Sequence, residues 1–291
     1  MPAYDLNGKV ALVTGGARGI GFETARQMHA RGASVAVLDL DADEAREAAE
    51  RIGERTLGIA GDVTDAGAMR AAVAEVVERF GGLDVAMANA GIAPPSIATM
   101  RSVPAEEWER VIDVNLLGVW HTVRAALPQV SERQGHIVVV ASVAAFANGM
   151  LGSSYMVSKA AVEQLGRALR TELTPFGASA SVAYFGWVDT RMVQETFSRP
   201  GAGTLEEIAP DFLMRRITPP QAGAAVVKGI EERAPRIFAP RWWRYLSALR
   251  GLLNPLLDRR SERDRRIAAA IRDAEERGAG EADAPAPTPS S

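Results

Sequence analysis

Tyr155 and Lys159 stand four positions apart in the run Tyr155-Met156-Val157-Ser158-Lys159. In a helix that spacing puts a phenol and an ammonium on one face, a turn apart. A phenol titrates near ~10 and moves protons poorly at neutral pH, but a nearby positive charge favours the phenolate and lowers that value. A tyrosine so tuned can protonate a carbonyl oxygen as the carbon is reduced, or deprotonate an alcohol in the reverse direction. The same spacing is common on ordinary solvated helices, so the pair acquires meaning only with partners. Ser142, just past the end of a predicted strand, is one candidate.

A second constellation is Thr14-Gly15-Gly16-Ala17-Arg18-Gly19-Ile20-Gly21, which joins an apolar run directly to a helical pattern. Backbone N–H groups exposed at a helix N-terminus can hold a pyrophosphate, and glycine permits its close approach. The spacing is Gly-x-x-x-Gly-x-Gly rather than Gly-x-Gly-x-x-Gly, and glycine-rich turns of this kind also serve plain packing. Asp39 closes the second predicted strand, 18 residues after Gly21. A carboxylate there can accept hydrogen bonds from an adenosine ribose, which points to NAD. Arg18 is the opposing signal, because a guanidinium can pair with a 2′-phosphate and select NADP. Asp39 would repel that phosphate and Leu40 adds no positive charge, so NAD is expected and NADP is the alternative. Asp39 could instead be a cap or turn residue before Asp41-Ala42-Asp43.

These groups need a frame that brings them to one edge. From Val10 to about Ala239 short apolar runs alternate with longer amphipathic stretches, the signature of β-α-β units around a parallel sheet. Seven strands are predicted, beginning near Val10, Ser34, Thr56, Leu83, His136, Ser181 and Arg236, and their Val, Ile and Leu runs suit strands covered on both faces. Helices are expected over Ile20–Arg31, Asp43–Ile52, Ala66–Phe80, Pro104–Pro128, Ser154–Thr174 and Gln221–Arg233. Right-handed crossovers then give an α/β fold, a Rossmann-type doubly wound parallel seven-stranded sheet with helices on both faces and a ligand crevice at the carboxyl ends of the strands. Residues 1–239 are read as one dinucleotide-binding and catalytic domain. Its segment 188–220, broken by Pro200, Gly201, Gly203, Pro210, Pro219 and Pro220, is a lid or an ordinary long connection. Residues 240–277 form an Arg/Trp/Leu-rich helical extension, and 278–291, rich in Ala, Pro, Gly and Ser, a disordered tail.

Composition excludes several classes. A net charge of -3 over 291 residues leaves no basic footprint for nucleic acid. Without cysteine there is neither disulfide nor thiolate chemistry, and His29, His121 and His136 are too scattered for a metal site, so no metal is expected. The first apolar run, Val10 to Val13, is too short for a secretory core, and no run approaches the ~18 apolar residues of a spanning helix. A cytoplasmic protein is expected.

Taken together, Thr14 to Gly21, Asp62-Val63, Asn89-Ala90-Gly91, Asn115, Ser142 and Tyr155 with Lys159 resemble, in order and spacing, the motifs of the short-chain dehydrogenase/reductase family over roughly residues 6–240. The resemblance implies a nicotinamide-dependent enzyme acting on CH–OH groups, with a catalytic set of Asn115, Ser142, Tyr155 and Lys159. Tyr155 would be the general acid/base. Ser142 would bond the substrate oxygen, so that Ser142 and Tyr155 together bind the substrate. Lys159 would hold the nicotinamide ribose and depress Tyr155, and Asn115 would anchor a water for proton relay. The cofactor would meet Gly15, Arg18, Gly19, Ile20, Gly21, Asp39, Asp62, Val63, Asn89, Gly91, Tyr155, Lys159, Val188 and Thr190. For the smaller pieces a local reading stays open: Asn89 and Asn115 could bond nearby backbone and Asp62 could cap a turn. Where the family usually has Pro-Gly after the sixth strand, this chain has Phe185-Gly186, which puts the shape of the nicotinamide side of the pocket in doubt.

Substrate choice is expected to rest on Ile92, Pro94, Pro95, Val143, Phe146, Met150, Leu151, Trp187, Met192 and Phe197, an apolar set that suits a small hydrophobic alcohol or carbonyl compound better than a sugar. In the extension, Leu246, Leu249 and Leu253 at helical spacing are expected to pack on the parent domain, its pocket mouth or a second subunit; peripheral membrane contact through 240–257 is the less favoured alternative. The resemblance also implies a homodimer or homotetramer built on the helices 104–128 and 154–174. Two rivals stand beside the NAD-dependent reading: an NADPH-dependent ketoreductase, and a non-catalytic nucleotide-sensing or scaffold protein.

Overall fold

The computed structural model describes residues 3–147, 149–199 and 213–282, with side chains to 277. Strands β1 (Val10–Thr14), β2 (Ser34–Asp39), β3 (Thr56–Ala60), β4 (Val85–Ala88), β5 (His136–Val140), β6 (Ser179–Phe185) and β7 (Arg236–Ala239) form one sheet in the order β3-β2-β1-β4-β5-β6-β7. Every neighbouring pair is parallel. This is the predicted Rossmann-type sheet. The described α-helices are α1 (Gly19–His29), α2 (Ala42–Ile52), α3 (Ala66–Phe80), α4 (Ala105–Ile112), α5 (Gly118–Glu132), α6 (Ser153–Glu172), α7 (Arg191–Phe197), α8 (Pro219–Glu231), α9 (Trp243–Arg263) and α10 (Arg265–Ala282).

Alternation along the strands builds two cores. Val10 and Leu12 point to one face, with Met69 and Val76 of α3, Val119 and Val123 of α5, and Val162 and Leu169 of α6. Ala11 and Val13 point to the other, with Phe22 and Met28 of α1, Ala48 of α2, and Val226 and Ile230 of α8. Because β1 feeds β2 on one side and β4 feeds β5 on the other, the chain parts at the carboxyl ends of β1 and β4, where a doubly wound sheet opens its crevice. The boundaries have local causes. Asp41 and Asp65 cap α2 and α3 by accepting from backbone N–H groups, Gly81 ends α3 in the left-handed region, and Thr218 with Gln221 forms a capping box before Pro219.

Three expectations are corrected. The helix expected over 104–128 is two helices joined by a π turn at Asp113–Leu117, and it continues to Glu132 through Pro128. Pro128 is tolerated because it lies on the exposed face, where the carbonyl it leaves unpaired meets solvent. The tail expected from Gly278 begins as helix to Ala282, and 283–291 lie outside the described residues. In the extension, Leu246 packs on the core as expected but Leu249 is 49% exposed. Of the lid, Val188 bridges Ile217 and α7 follows Thr190, while 200–212 lie outside the described residues. Among the described residues no helix is long and apolar enough to cross a membrane.

Candidate active site

The carboxyl end of β5 gathers the candidate catalytic residues. Lys159, on α6, is buried, and its Nζ donates to the Val140 carbonyl at 2.9 Å, so the strand that delivers Ser142 also anchors the lysine. Ser142 caps the short turn Val143–Ala145 by accepting from the Ala144 N–H, and its hydroxyl donates to the Phe185 carbonyl at 3.3 Å. Tyr155 is partly exposed, and the Lys159 ammonium lies 5.5 Å from its ring centre; the Ser142 hydroxyl is near enough to favour its ionised form. The geometry therefore brings Ser142, Tyr155 and Lys159 together.

Their electrostatics depart from the sequence expectation. Burial raises the Tyr155 phenol, opposed by the Ser142 hydrogen bond, and burial lowers the Lys159 ammonium to about 8. The net shift of Tyr155 is upward, against the expected lowering, because desolvation penalises its charged form.

Asn115 sits in the π turn, fully buried. Its Oδ1 accepts from the Ile92 N–H at 2.8 Å, and its Nδ2 donates to the Ile92 carbonyl at 3.0 Å and to Ser158 Oγ at 3.3 Å. With both amide N–H bonds taken, its side chain holds the loop after β4 against α6. Ser158 Oγ in turn donates to the Tyr155 carbonyl. Gly91 lies in the same knot: a Cβ there would be 3.0 Å from Asn115 Oδ1 and 3.5 Å from Lys159 Nζ.

The glycine loop closes the other side of the crevice. Gly15 has φ +61° and Gly19 φ +58°, and a Cβ on Gly21 would come within 2.3 Å of the Gly15 carbonyl oxygen. These positions need glycine. Asn89 Nδ2 donates to the Thr14 and Gly15 carbonyls, both at 2.9 Å, and Thr14 Oγ1 accepts from the Asn89 and Ala90 N–H groups. Arg18 at the N-terminus of α1 provides no side-chain cap, and Ile20 sits in the first turn. Asp39 accepts from the Ala17 N–H at 3.0 Å and from Leu40, whereas Asp41 caps α2, so capping is not what Asp39 does. Arg18 reaches Glu44 at 2.5 Å. Thr190 stands over the loop: a Cβ on Gly19 would lie 3.3 Å from Thr190 Cγ2, and Val188 beside it is buried. Asp62 accepts from the Thr64 N–H; burial works against its ionisation, but Thr64 and Arg110 outweigh that and hold its carboxyl below the ordinary value. Val63 is buried and its carbonyl meets His121 Nδ1 at 3.0 Å.

Residues 9–201 match the family model for short chain dehydrogenases. The chain belongs to the short-chain dehydrogenase family. It is 32% identical to the (-)-trans-carveol dehydrogenase of Rhodococcus erythropolis, over 71% of this chain and 78% of that one. It is 36% identical to the cyclohexanol dehydrogenase of Rhodococcus sp. (strain TK6), over 77% of this chain and 89% of that one. A crystal structure of a short-chain type dehydrogenase/reductase from Mycobacterium marinum matches with a TM-score of 0.71 at 30% identity, covering 80% of this chain and 94% of that one. As a short-chain dehydrogenase the protein is an oxidoreductase acting on CH–OH groups with a nicotinamide cofactor. The glycine cradle, the α1 N-terminus without a side-chain cap and the carboxylate at the end of β2 fit such a dinucleotide.

Two features of this short-chain dehydrogenase escaped sequence reasoning. Phe185 is buried in the core on the face of the sheet opposite Tyr184; Gly186 is backed by Trp243, with a would-be Cβ 2.6 Å from the indole Nε1. Phe146, expected to face substrate, is buried against Tyr184 and Trp243. The second feature is a brace from α9: Arg250 makes two hydrogen bonds to Glu163 of α6, at 2.7 and 2.8 Å, and Asn254 Nδ2 donates to the Phe146 carbonyl at 3.0 Å.

Proposed function

We propose that the protein interconverts a small apolar alcohol and its ketone with NAD(H), through Tyr155, Ser142, Lys159 and Asn115. The observation that carries this reading is the convergence of Tyr155, Ser142 and Lys159 at the end of β5. A bound nicotinamide supplies or accepts the hydride. Tyr155 holds the proton at its Oη and delivers it to the carbonyl oxygen, or receives it from the alcohol. Ser142 Oγ bonds the same oxygen and steadies the charge that develops on it. Lys159, held by Val140, orients the ribose and places positive charge beside Tyr155. Asn115 would anchor a water for proton relay, and its side-chain amide positions the Ile92 loop.

NAD is favoured over NADP because Asp39 is tied to the glycine loop while Arg18 is engaged by Glu44. An apolar substrate is supported by Ile92, Trp187, Met192 and Phe197, each partly exposed, and by the cyclic alcohols named for two relatives. Assembly through α5 and α6 belongs to the same proposal, supported by Leu117, Trp120 and Val157, each more than two-fifths exposed. Titration with NADH and with NADPH, followed by nicotinamide fluorescence, tests the assignment. Tighter NADH binding that weakens in Asp39→Ala is the expected result; preference for NADPH would transfer the role to Arg18 and make the protein a ketoreductase, and binding of neither would remove the mechanism.

A further inference from the structure

Helix α9 carries a second apolar stripe that faces away from the core it packs on. Trp243, Ser247, Arg250 and Asn254 follow one another at intervals of four, three and four, and this face is turned to the molecule: Trp243 and Ser247 are buried, Arg250 bonds Glu163 and Asn254 bonds Phe146. Tyr245, Leu249, Leu252 and Leu256 repeat the same intervals two residues later, which on an α-helix is the opposite face. Those four are 59%, 49%, 74% and 64% exposed, and Leu257 beside them is 51% exposed. Beyond Trp242, Trp243 and Leu246, which pack on the core, the helix turns Arg250 and Asn254 inward and Leu249, Leu252, Leu256 and Leu257 outward. Isolated exposed leucines need no explanation, but a continuous stripe on one helix face does.

The charge around the stripe says what would cover it. The whole chain carries -3, yet residues 240–266 hold eight arginines against Asp258, Glu262 and Asp264. Arg241 and Arg244 flank the amino end of the stripe, and Arg259, Arg260 and Arg263 continue it at the carboxyl end; all five are exposed. A second copy pairing symmetrically on this face would set like charges against like. An anionic bilayer meets both demands, taking the leucines among its acyl chains and the guanidinium groups among its headgroups.

We infer that α9 docks the enzyme peripherally on an anionic lipid surface, with Tyr245, Leu249, Leu252 and Leu256 inserted and Arg259, Arg260 and Arg263 against the headgroups. The inner face of the same helix braces the Phe146 loop that follows Ser142, so docking sets the substrate side of the crevice close to the lipid. Only that last consequence rests on the proposed apolar substrate.

Flotation of the full chain with vesicles of equal parts phosphatidylglycerol and phosphatidylcholine, and with vesicles of phosphatidylcholine alone, tests the docking. The expected result is that the wild type floats with the anionic vesicles only and is released by high salt, and that the double variant Leu252→Glu, Leu256→Glu stays in the soluble fraction while keeping its thermal unfolding transition and its turnover of a water-soluble alcohol. Arg259→Gln and Arg263→Gln should each weaken partition roughly fivefold. Failure of the wild type to float, equal binding to neutral vesicles, or flotation of the double glutamate variant would overturn the proposal. So would a double variant that elutes at half the wild-type mass, because the stripe would then join two copies of the chain.

Discussion

Proton ownership at the end of β5 decides what the side chains can do. Burial keeps Tyr155 protonated across the neutral range and brings Lys159 down to about 8. In the proposed mechanism carbonyl reduction consumes the Tyr155 proton, so its rate should hold level near neutrality and fall as pH rises past about 8, where Lys159 loses its charge. Alcohol oxidation needs the phenolate and should climb over the same span. Initial rates in both directions across pH check the sign. Tyr155→Phe should lower kcat about 10³-fold and Ser142→Ala about 10²-fold, with NADH affinity retained in both. These groups were legible in the sequence because local spacing carries them: one helical turn joins Tyr155 to Lys159, and one strand-to-helix turn holds Gly15, Gly19 and Gly21. Their shifted proton affinities were not, since desolvation depends on what packs around them.

Among the elements, the least legible was the one with most to say about its neighbours. Nothing in residues 243–263 signals that Arg250 will meet Glu163, 87 positions earlier, because an ion pair between distant helices has no periodicity of its own. The π turn at Asn115 was hidden for a related reason: five residues are too few to separate its winding from that of an α-helix. The strands, by contrast, were plain from their unbroken apolar runs. Glu163 is 4% exposed, so Arg250→Ala would strand a buried carboxylate. The cost should be about 2 kcal/mol, below the full penalty for breaking a buried pair because Arg250 is partly solvated and Arg167 remains nearby. Urea unfolding of the variant measures it, and loosening of the Phe146 loop should raise KM in the same protein.

For the molecule as a whole, acid sensitivity should trace in part to His136, at the start of β5 in the middle of the sheet. Its ring nitrogens meet the hydroxyls of Ser179 at 2.7 Å and Ser181 at 2.8 Å, and burial, helped by Arg233 and Arg170, lowers its imidazole to about 3. The unfolded chain takes up that proton near ~6.5 while the folded chain does not. The stability His136 contributes is therefore complete above that pH and is lost as pH falls toward about 3, with a slope of up to about 1.4 kcal/mol per pH unit. Urea midpoints measured across this range should show a shallower acid limb in His136→Gln. The brace from α9 bears on the whole molecule in another way. Synthesis runs from the amino end, and the last strand of the sheet, β7, ends at Ala239, before Trp243, Arg250 and Asn254 have been made. The sheet can close around its two cores while the chain is still being extended, but the loop following Ser142 receives its final supports only afterwards. Competence for turnover thus lags behind folding, and an interrupted translation product would be compact without being fully active.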